Sequence, residues 1–230
     1  MSRLSCCEST FSDSCFFSRL DFSDSPANYR PISNLNTISK ILERLVLVRL
    51  VPHASTSSNF DAVQPAYRRL HSTETALLKI TNDIFAGFDN HQSTILVALD
   101  QSAAFDCVDH ETLVSRLEHT FGVTGSALDW ICSYLEARST FVRWKQNSSD
   151  VFPLDTGVSQ GPSLGPFLFS LYIAPLSAVI NSFGVSHHQY ADDTQIYITV
   201  SRADVSDKVD LLQDWYSFLA TWSSTQPDQV

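Results

Sequence analysis

The sequence predicts a protein of mixed helices and strands, α+β or α/β. Several stretches repeat apolar residues at helical spacing, and short Ile-, Val- and Tyr-containing runs stand between polar turn residues. The 230 residues are 43% hydrophobic and 17% charged, enough apolar material for a sizeable core. With only 7 Gly and 9 Pro the chain is neither collagenous nor wholly disordered. No run nears the ~18 consecutive apolar residues of a membrane-spanning helix. Residues 1–20 mix Ser, Cys, Asp and Phe without the apolar core of a secretory signal.

The elements follow in order. Residues 1–25, rich in Ser and Cys, show neither helical nor strand period and are expected to be a poorly ordered leader. Residues 35–50 repeat Ile38, Ile41, Leu42, Leu45, Val46 and Val48 among charges, the pattern of an amphipathic helix that Pro52 and the polar residues 55–59 end. A second helix is expected over 73–85 with Ser72 as N-cap. Residues 94–99 (TILVAL) suit a strand buried on both faces. Helices over 111–119 and 126–136 precede strands over 140–145 and 151–158, with Asn147, Ser148 and Ser149 as the turn. The long apolar stretch 164–183 reads as one buried helix despite Pro166 and Pro175. Strands over 185–190 and 194–200 enclose a tight acidic turn, with one of His187 and His188 facing in and the other out. An amphipathic helix over 205–222 and a tail, 223–230, complete the chain.

Charge is uneven. The formal net is −10, which taken alone argues against a nucleic-acid partner. Yet residues 28–80 carry seven bases against three acids, a net of +4, whereas residues 81–135 net −7. A basic part and an acidic part could serve a polyanion and cations respectively, or be a solvated, unevenly charged surface. The five cysteines are an odd number without paired CxxC spacing and read as free intracellular thiols.

Three aspartates stand out. Asp100 closes the apolar run 94–99, and Asp192 and Asp193 occupy the acidic turn. A carboxylate at the end of a buried strand is costly unless solvated or metal-bound, and adjacent carboxylates gain from a shared cation. Asp is also common at turns and strand ends for local reasons alone.

The words around these residues carry a resemblance. Tyr190-Ala191-Asp192-Asp193 follows Leu99-Asp100-Gln101-Ser102-Ala103-Ala104-Phe105-Asp106 and Gly157-Val158-Ser159-Gln160-Gly161-Pro162-Ser163-Leu164-Gly165-Pro166. Upstream stand Asn28-Tyr29-Arg30-Pro31-Ile32-Ser33 and His71-Ser72-Thr73-Glu74-Thr75-Ala76-Leu77-Leu78. In this order the boxes resemble the reverse transcriptase domain of non-LTR (LINE-type) retrotransposons over about residues 25–200. The related RNA-dependent RNA polymerases usually carry Gly-Asp-Asp at the hairpin, where this chain has Tyr190-Ala191 before the carboxylates.

The resemblance implies an α+β right-hand polymerase fold with partial fingers and palm and the thumb absent. Residues 26–92 would be fingers-like, and 93–222 palm with some fingers elements, in one continuous domain over 26–222. It implies an RNA-directed DNA polymerase that takes an RNA template, a DNA primer and dNTPs, with two Mg²⁺ ions and no membrane partner, acting in the nucleus. Asp100, Asp192 and Asp193 would be the catalytic metal ligands, and the main-chain carbonyl of Gln101 a further ligand beside the nucleotide. Phe105 would be the aromatic gate beneath the incoming sugar, where a ring leaves no room for a 2′-hydroxyl. Gln160 and Gly161 would border the nucleotide and template, and Arg30 would reach the triphosphate. Read singly, Phe105 equally suits a core position, Gln160 a loop and Arg30 a surface beside a turn.

The chain departs from the family's pattern at Gln101, at Pro162, which removes a backbone donor from the loop, and in its base-poor residues 5–24. With the missing thumb, these departures make a fragment or decayed copy an expectation too. Its alternative function is that of a catalytically dead remnant, at most a nucleic-acid or protein binding module.

Overall fold

The structure, a computed structural model, describes residues 12–19, 29–60, 72–99, 104–144, 146–161 and 163–222. In chain order these form β1 (Ser12–Arg19), β2 (Tyr29–Asn34), α1 (Thr37–Ser55), α2 (Thr73–Asp89), β3 (Ser93–Leu99), α3 (His110–Ser115) and α4 (Ser126–Leu135). There follow β4 (Ser139–Trp144), β5 (Asn147–Ser148), β6 (Phe152–Pro153), α5 (Leu164–Ile173), α6 (Pro175–Ser182), β7 (Ser186–Tyr190), β8 (Asp193–Val200) and α7 (Val205–Trp222). A π-helical turn, Arg116–Thr120, continues α3.

Two compact units share these elements, and each draws on two separate stretches of chain. One comprises Met1–Leu50 and Phe105–Gly165; the other comprises Val51–Ala104 and Pro166–Val230. The first unit holds a mixed sheet in the order β2-β1-β4-β5, with β6 also on β4. There β1 runs antiparallel to β2 and parallel to β4. Thus part of the expected leader is strand: Ser12–Arg19 forms by pairing with β2 just downstream and with β4 far along the chain, which local periodicity does not register. Leu113, Leu117, Ile131 and Leu135 form the buried core on the helical side of this unit.

The second unit holds the antiparallel sheet β3-β8-β7. Trp215, Phe169, Leu171, Leu176 and Ile196 fill its core. Among the described residues β3 pairs only with β8, as an edge strand, and Leu96 is exposed. The expectation of burial on both faces is corrected accordingly. The stretch 164–183 is two helices, because Pro175 sits at the start of α6, where its missing N–H costs nothing. Leu164–Ser182 has the length and composition to cross a membrane, but most of it is buried as core. Strand 151–158 shrinks to Phe152–Pro153, and Asn147 and Ser148 form a short strand against β4 instead of a simple turn.

The second helix starts where the sequence places it. Ser72 Oγ accepts from the Thr75 amide at 3.3 Å, and Thr75 Oγ1 accepts from the Ser72 amide at 2.9 Å, a reciprocal capping box. α2 is tied to the sheet by Asp83, which accepts from the Tyr197 phenol of β8 and pairs with Lys79. Burial opposes ionisation of Asp83, but the bonds from Lys79 and Tyr197 outweigh it and hold its carboxyl below the ordinary range.

α1 overturns its expectation. The helix continues through Pro52 to Ser55, and its apolar residues face outward: Ile38 is 72% and Val48 73% exposed. The buried face runs through Ser39, Glu43, Leu50 and Ala54.

Candidate active site

The tight acidic turn is a two-residue hairpin. Tyr190 pairs with Asp193 and Gln189 with Thr194, leaving Ala191 and Asp192 at the tip. Ala191 takes φ 56°, a left-handed conformation that costs a non-glycine residue on the order of 1–3 kcal/mol. Asp192 is half-buried and Asp193 exposed. The hairpin is braced from behind by buried polar groups. Ser177 Oγ of α6 donates to Gln189 Oε1 at 2.8 Å, His187 Nε2 lies 3.1 Å from Ser177 Oγ, and Gln189 Nε2 donates to Thr194 Oγ1 at 3.5 Å. His187 and His188 are both buried, which corrects the expectation of one in and one out. Both α2 and α6 pack against β7, whose middle residues 187–189 are buried.

Asp100 and Gln101 lie outside the described residues, as does Pro162. Leu99, one residue before Asp100, pairs with Thr194, one residue after Asp193. Among the described residues no group of three His, Cys, Asp or Glu side chains stands close enough to hold a metal ion.

The other expected residues belong to the first unit. Phe105 is buried, and its carbonyl accepts from the Val158 amide at 2.8 Å. The Ser33 amide of β2 donates to the Gln160 carbonyl at 2.7 Å. Gly161 follows at φ 111°, and a Cβ there would stand 2.8 Å from the Ser33 carbonyl oxygen. The close approach that demands glycine is thus to the chain's own strand. Arg30, placed by its backbone, lies on the same strand opposite Ser18. β2 and the residue 157–161 loop therefore bring Arg30, Gln160 and Gly161 onto neighbouring backbone within this unit.

A cleft of about 310 Å³ opens beside them, lined by Ser33, Asp106, Arg138, Thr140, Ser159 and Gln160 among others. Asp106 is exposed as a residue, but the cleft walls withdraw its carboxyl from water and push it above the ordinary range. Arg138 is buried, with its guanidinium 4.7 Å from the Tyr134 ring centroid. Sequence reasoning missed Arg138, Tyr134 and Glu43. Their only sequence signals are an aromatic four residues before an arginine and an acid within an apolar repeat, and neither is specific.

A sequence model of the family described as "Reverse transcriptase (RNA-dependent DNA polymerase)" matches residues 21–222. The chain is 32% identical over 205 residues to the probable RNA-directed DNA polymerase from transposon BS of Drosophila melanogaster, covering 86% of this chain and 22% of that protein. It is 28% identical over 198 residues to the RNA-directed DNA polymerase from mobile element jockey of the same species, covering 82% and 21%. The chain thus spans about a fifth of the length of the curated relatives it matches. Among solved structures it is similar to an apo telomerase from Candida tropicalis, with a TM-score of 0.57 at 13% identity, covering 90% of this chain and 46% of that one. That likeness is one of fold, and it makes the α+β architecture the right-hand polymerase fold. With the family match spanning all but the two ends, the chain belongs to the reverse transcriptase (RNA-dependent DNA polymerase) family, as a domain of the non-LTR retrotransposon kind.

Proposed function

We propose that this chain is an RNA-directed DNA polymerase domain that adds dNTPs to the 3′-hydroxyl of a DNA primer on an RNA template. The observation that carries the reading is the hairpin pairing. Asp192 and Asp193 stand at the end of the sheet where Leu99, the residue before Asp100 in sequence, pairs with Thr194 on the adjacent antiparallel strand. The donor set fits Mg²⁺, which prefers carboxylate oxygens and keeps sites for substrate phosphate. Asp100, Asp192 and Asp193 would hold two such ions, which when bound supply activation of the attacking oxygen and stabilisation of the leaving one.

The chain's own residues do the rest. The buried Ser177–Gln189–Thr194 network fixes the hairpin base, so that Asp192 and Asp193 are oriented before substrate arrives. Gln160 and Gly161 border the nucleotide from the loop held by Ser33, and Arg30 stands at the family's triphosphate-binding position on the same strand. Phe105 excludes a ribose by volume.

Primer extension on an RNA template with dNTPs and Mg²⁺ tests the reading beside an Asp192→Ala control. Product that vanishes in the control is expected. Folded protein that yields no product would overturn the reading and leave the dead remnant, binding nucleic acid or protein at most.

A further inference from the structure

Glu43 occupies the wrong face of its helix for a charged residue. It is 1% exposed on α1, while Ile38, Ile41 and Leu45 beside it face outward. A buried carboxylate is costly unless its oxygens are hydrogen-bonded. Here Oε1 accepts from the Tyr134 phenol at 2.8 Å, and Oε2 accepts from the backbone amides of Ser163 at 2.9 Å and Leu164 at 3.3 Å. All four residues belong to the first unit.

Those two amides open α5. They are among the N–H groups that no carbonyl inside the helix can satisfy, and they lie where the helix dipole favours a negative charge. A local Ser or Asp usually meets this need. In this chain a carboxylate 120 residues upstream does so.

The segment before α5 contains Gln160 and Gly161, and it is held at both ends. At one end Ser33 grips the Gln160 carbonyl at 2.7 Å. At the other Glu43 grips Ser163 and Leu164, and Gly165 lies so close to the Ser159 carbonyl that a Cβ would stand 2.3 Å from it. The partner of Glu43 is itself fixed: the Tyr134 ring stacks on Trp130 at 5.4 Å and lies beneath Arg138, which lines the same cleft as Gln160. Burial, against the pull of Arg138, pushes the Tyr134 phenol well above its ordinary range, so it remains an O–H donor to the carboxylate.

We infer that Glu43 is a positioning residue for the Gln160–Gly161 loop, setting its pose by clamping the N-terminus of α5 from α1. The inference rests on the polymerase reading of that loop for its consequence in catalysis, and on the geometry alone for the clamp.

Glu43→Met keeps the side chain's length but offers no oxygen to the Ser163 and Leu164 amides or to the Tyr134 phenol. Tyr134→Phe, a milder second variant should the first fail to fold, removes only the phenol. Hydrogen exchange is followed in the 230-residue chain, together with dNTP kinetics in primer extension. The expected result for Glu43→Met is exchange at Ser163 and Leu164 faster by about tenfold or more, with β7 and β8 unchanged. A rise of about tenfold in KM for dNTP should accompany it, with kcat within about twofold. Tyr134→Phe should give smaller changes of the same sign.

Unaltered exchange at the two amides would overturn the inference. So would loosening spread evenly through α3 and α4, or a fall in kcat at constant KM. A wild-type chain that extends no primer removes the polymerase reading instead, and the exchange at Ser163 and Leu164 then decides the clamp on its own.

Discussion

A methyl group at position 161 has no space to occupy. Built on the native backbone, it would stand 2.8 Å from the Ser33 carbonyl oxygen and 3.0 Å from Ile32 Cγ2. The first of these is strand backbone and cannot swing aside. The φ of 111° is also one that L side chains rarely adopt, which costs on the order of 1–3 kcal/mol. If the loop moves to relieve the clash, the 2.7 Å bond from the Ser33 amide to the Gln160 carbonyl lengthens, at about 0.5–1.5 kcal/mol. Against this, replacing glycine lowers the entropy of the unfolded chain and returns about 0.4–1 kcal/mol. Gly161→Ala should therefore destabilise the protein by about 1–4 kcal/mol. Urea unfolding followed by tryptophan fluorescence measures this, with a midpoint expected to fall by about 1 M at ordinary slopes. A midpoint unchanged within error would refute both the steric reading and the register of this loop on β2.

Four further outcomes are expected. Ser72→Ala should cost about 1 kcal/mol in the same assay, because it removes the acceptor for the Thr75 amide at the start of α2. Val48→Lys, on the outward face of α1, should change stability by less than about 0.5 kcal/mol, whereas the amphipathic pattern alone would have it unfold the helix. The depressed Asp83 carboxyl contributes stability that is present above the unfolded value of about 4 and is lost as pH falls through its lower folded value. The gap in unfolding midpoint between wild type and Asp83→Asn should therefore close on acidification from pH 7, and a gap that widens would contradict the sign. If Phe105 is the gate that the proposed function makes it, Phe105→Val, which removes several carbons, should raise ribonucleotide incorporation relative to deoxyribonucleotide by about tenfold or more in primer extension.

What was legible in the sequence was what neighbours determine. Ser72 at the start of α2 and the hairpin around Asp192 act within a few residues, and α2 and the β7–β8 hairpin emerged near their expected bounds. The ordered boxes were legible as words, and they led to the family that the match over residues 21–222 establishes. Partners far apart in sequence were invisible. Glu43 reads as the polar side of an amphipathic helix until Tyr134 and the Ser163 amide come to it. The outward apolar face of α1 follows, because the helix is oriented by what Glu43 binds and not by its own apolar stripe. Likewise Gly161 signals a close approach, but only the fold shows that Ser33 is what approaches.

The parallel pairing of β1 with β4 has a consequence for how the chain is made. β1 ends at Arg19 and β4 begins at Ser139, so 120 residues separate a strand from its neighbour. At about 5–20 residues per second the ribosome takes roughly 6–24 s to deliver the second after the first. Once β2 is complete at Asn34, the β1–β2 pair carries an open edge on the nascent chain for the rest of that interval, and such edges recruit other strands. The hazard is timed by translation, so pauses between codons 19 and 139 should lower the yield of native protein even when the amino-acid sequence is untouched.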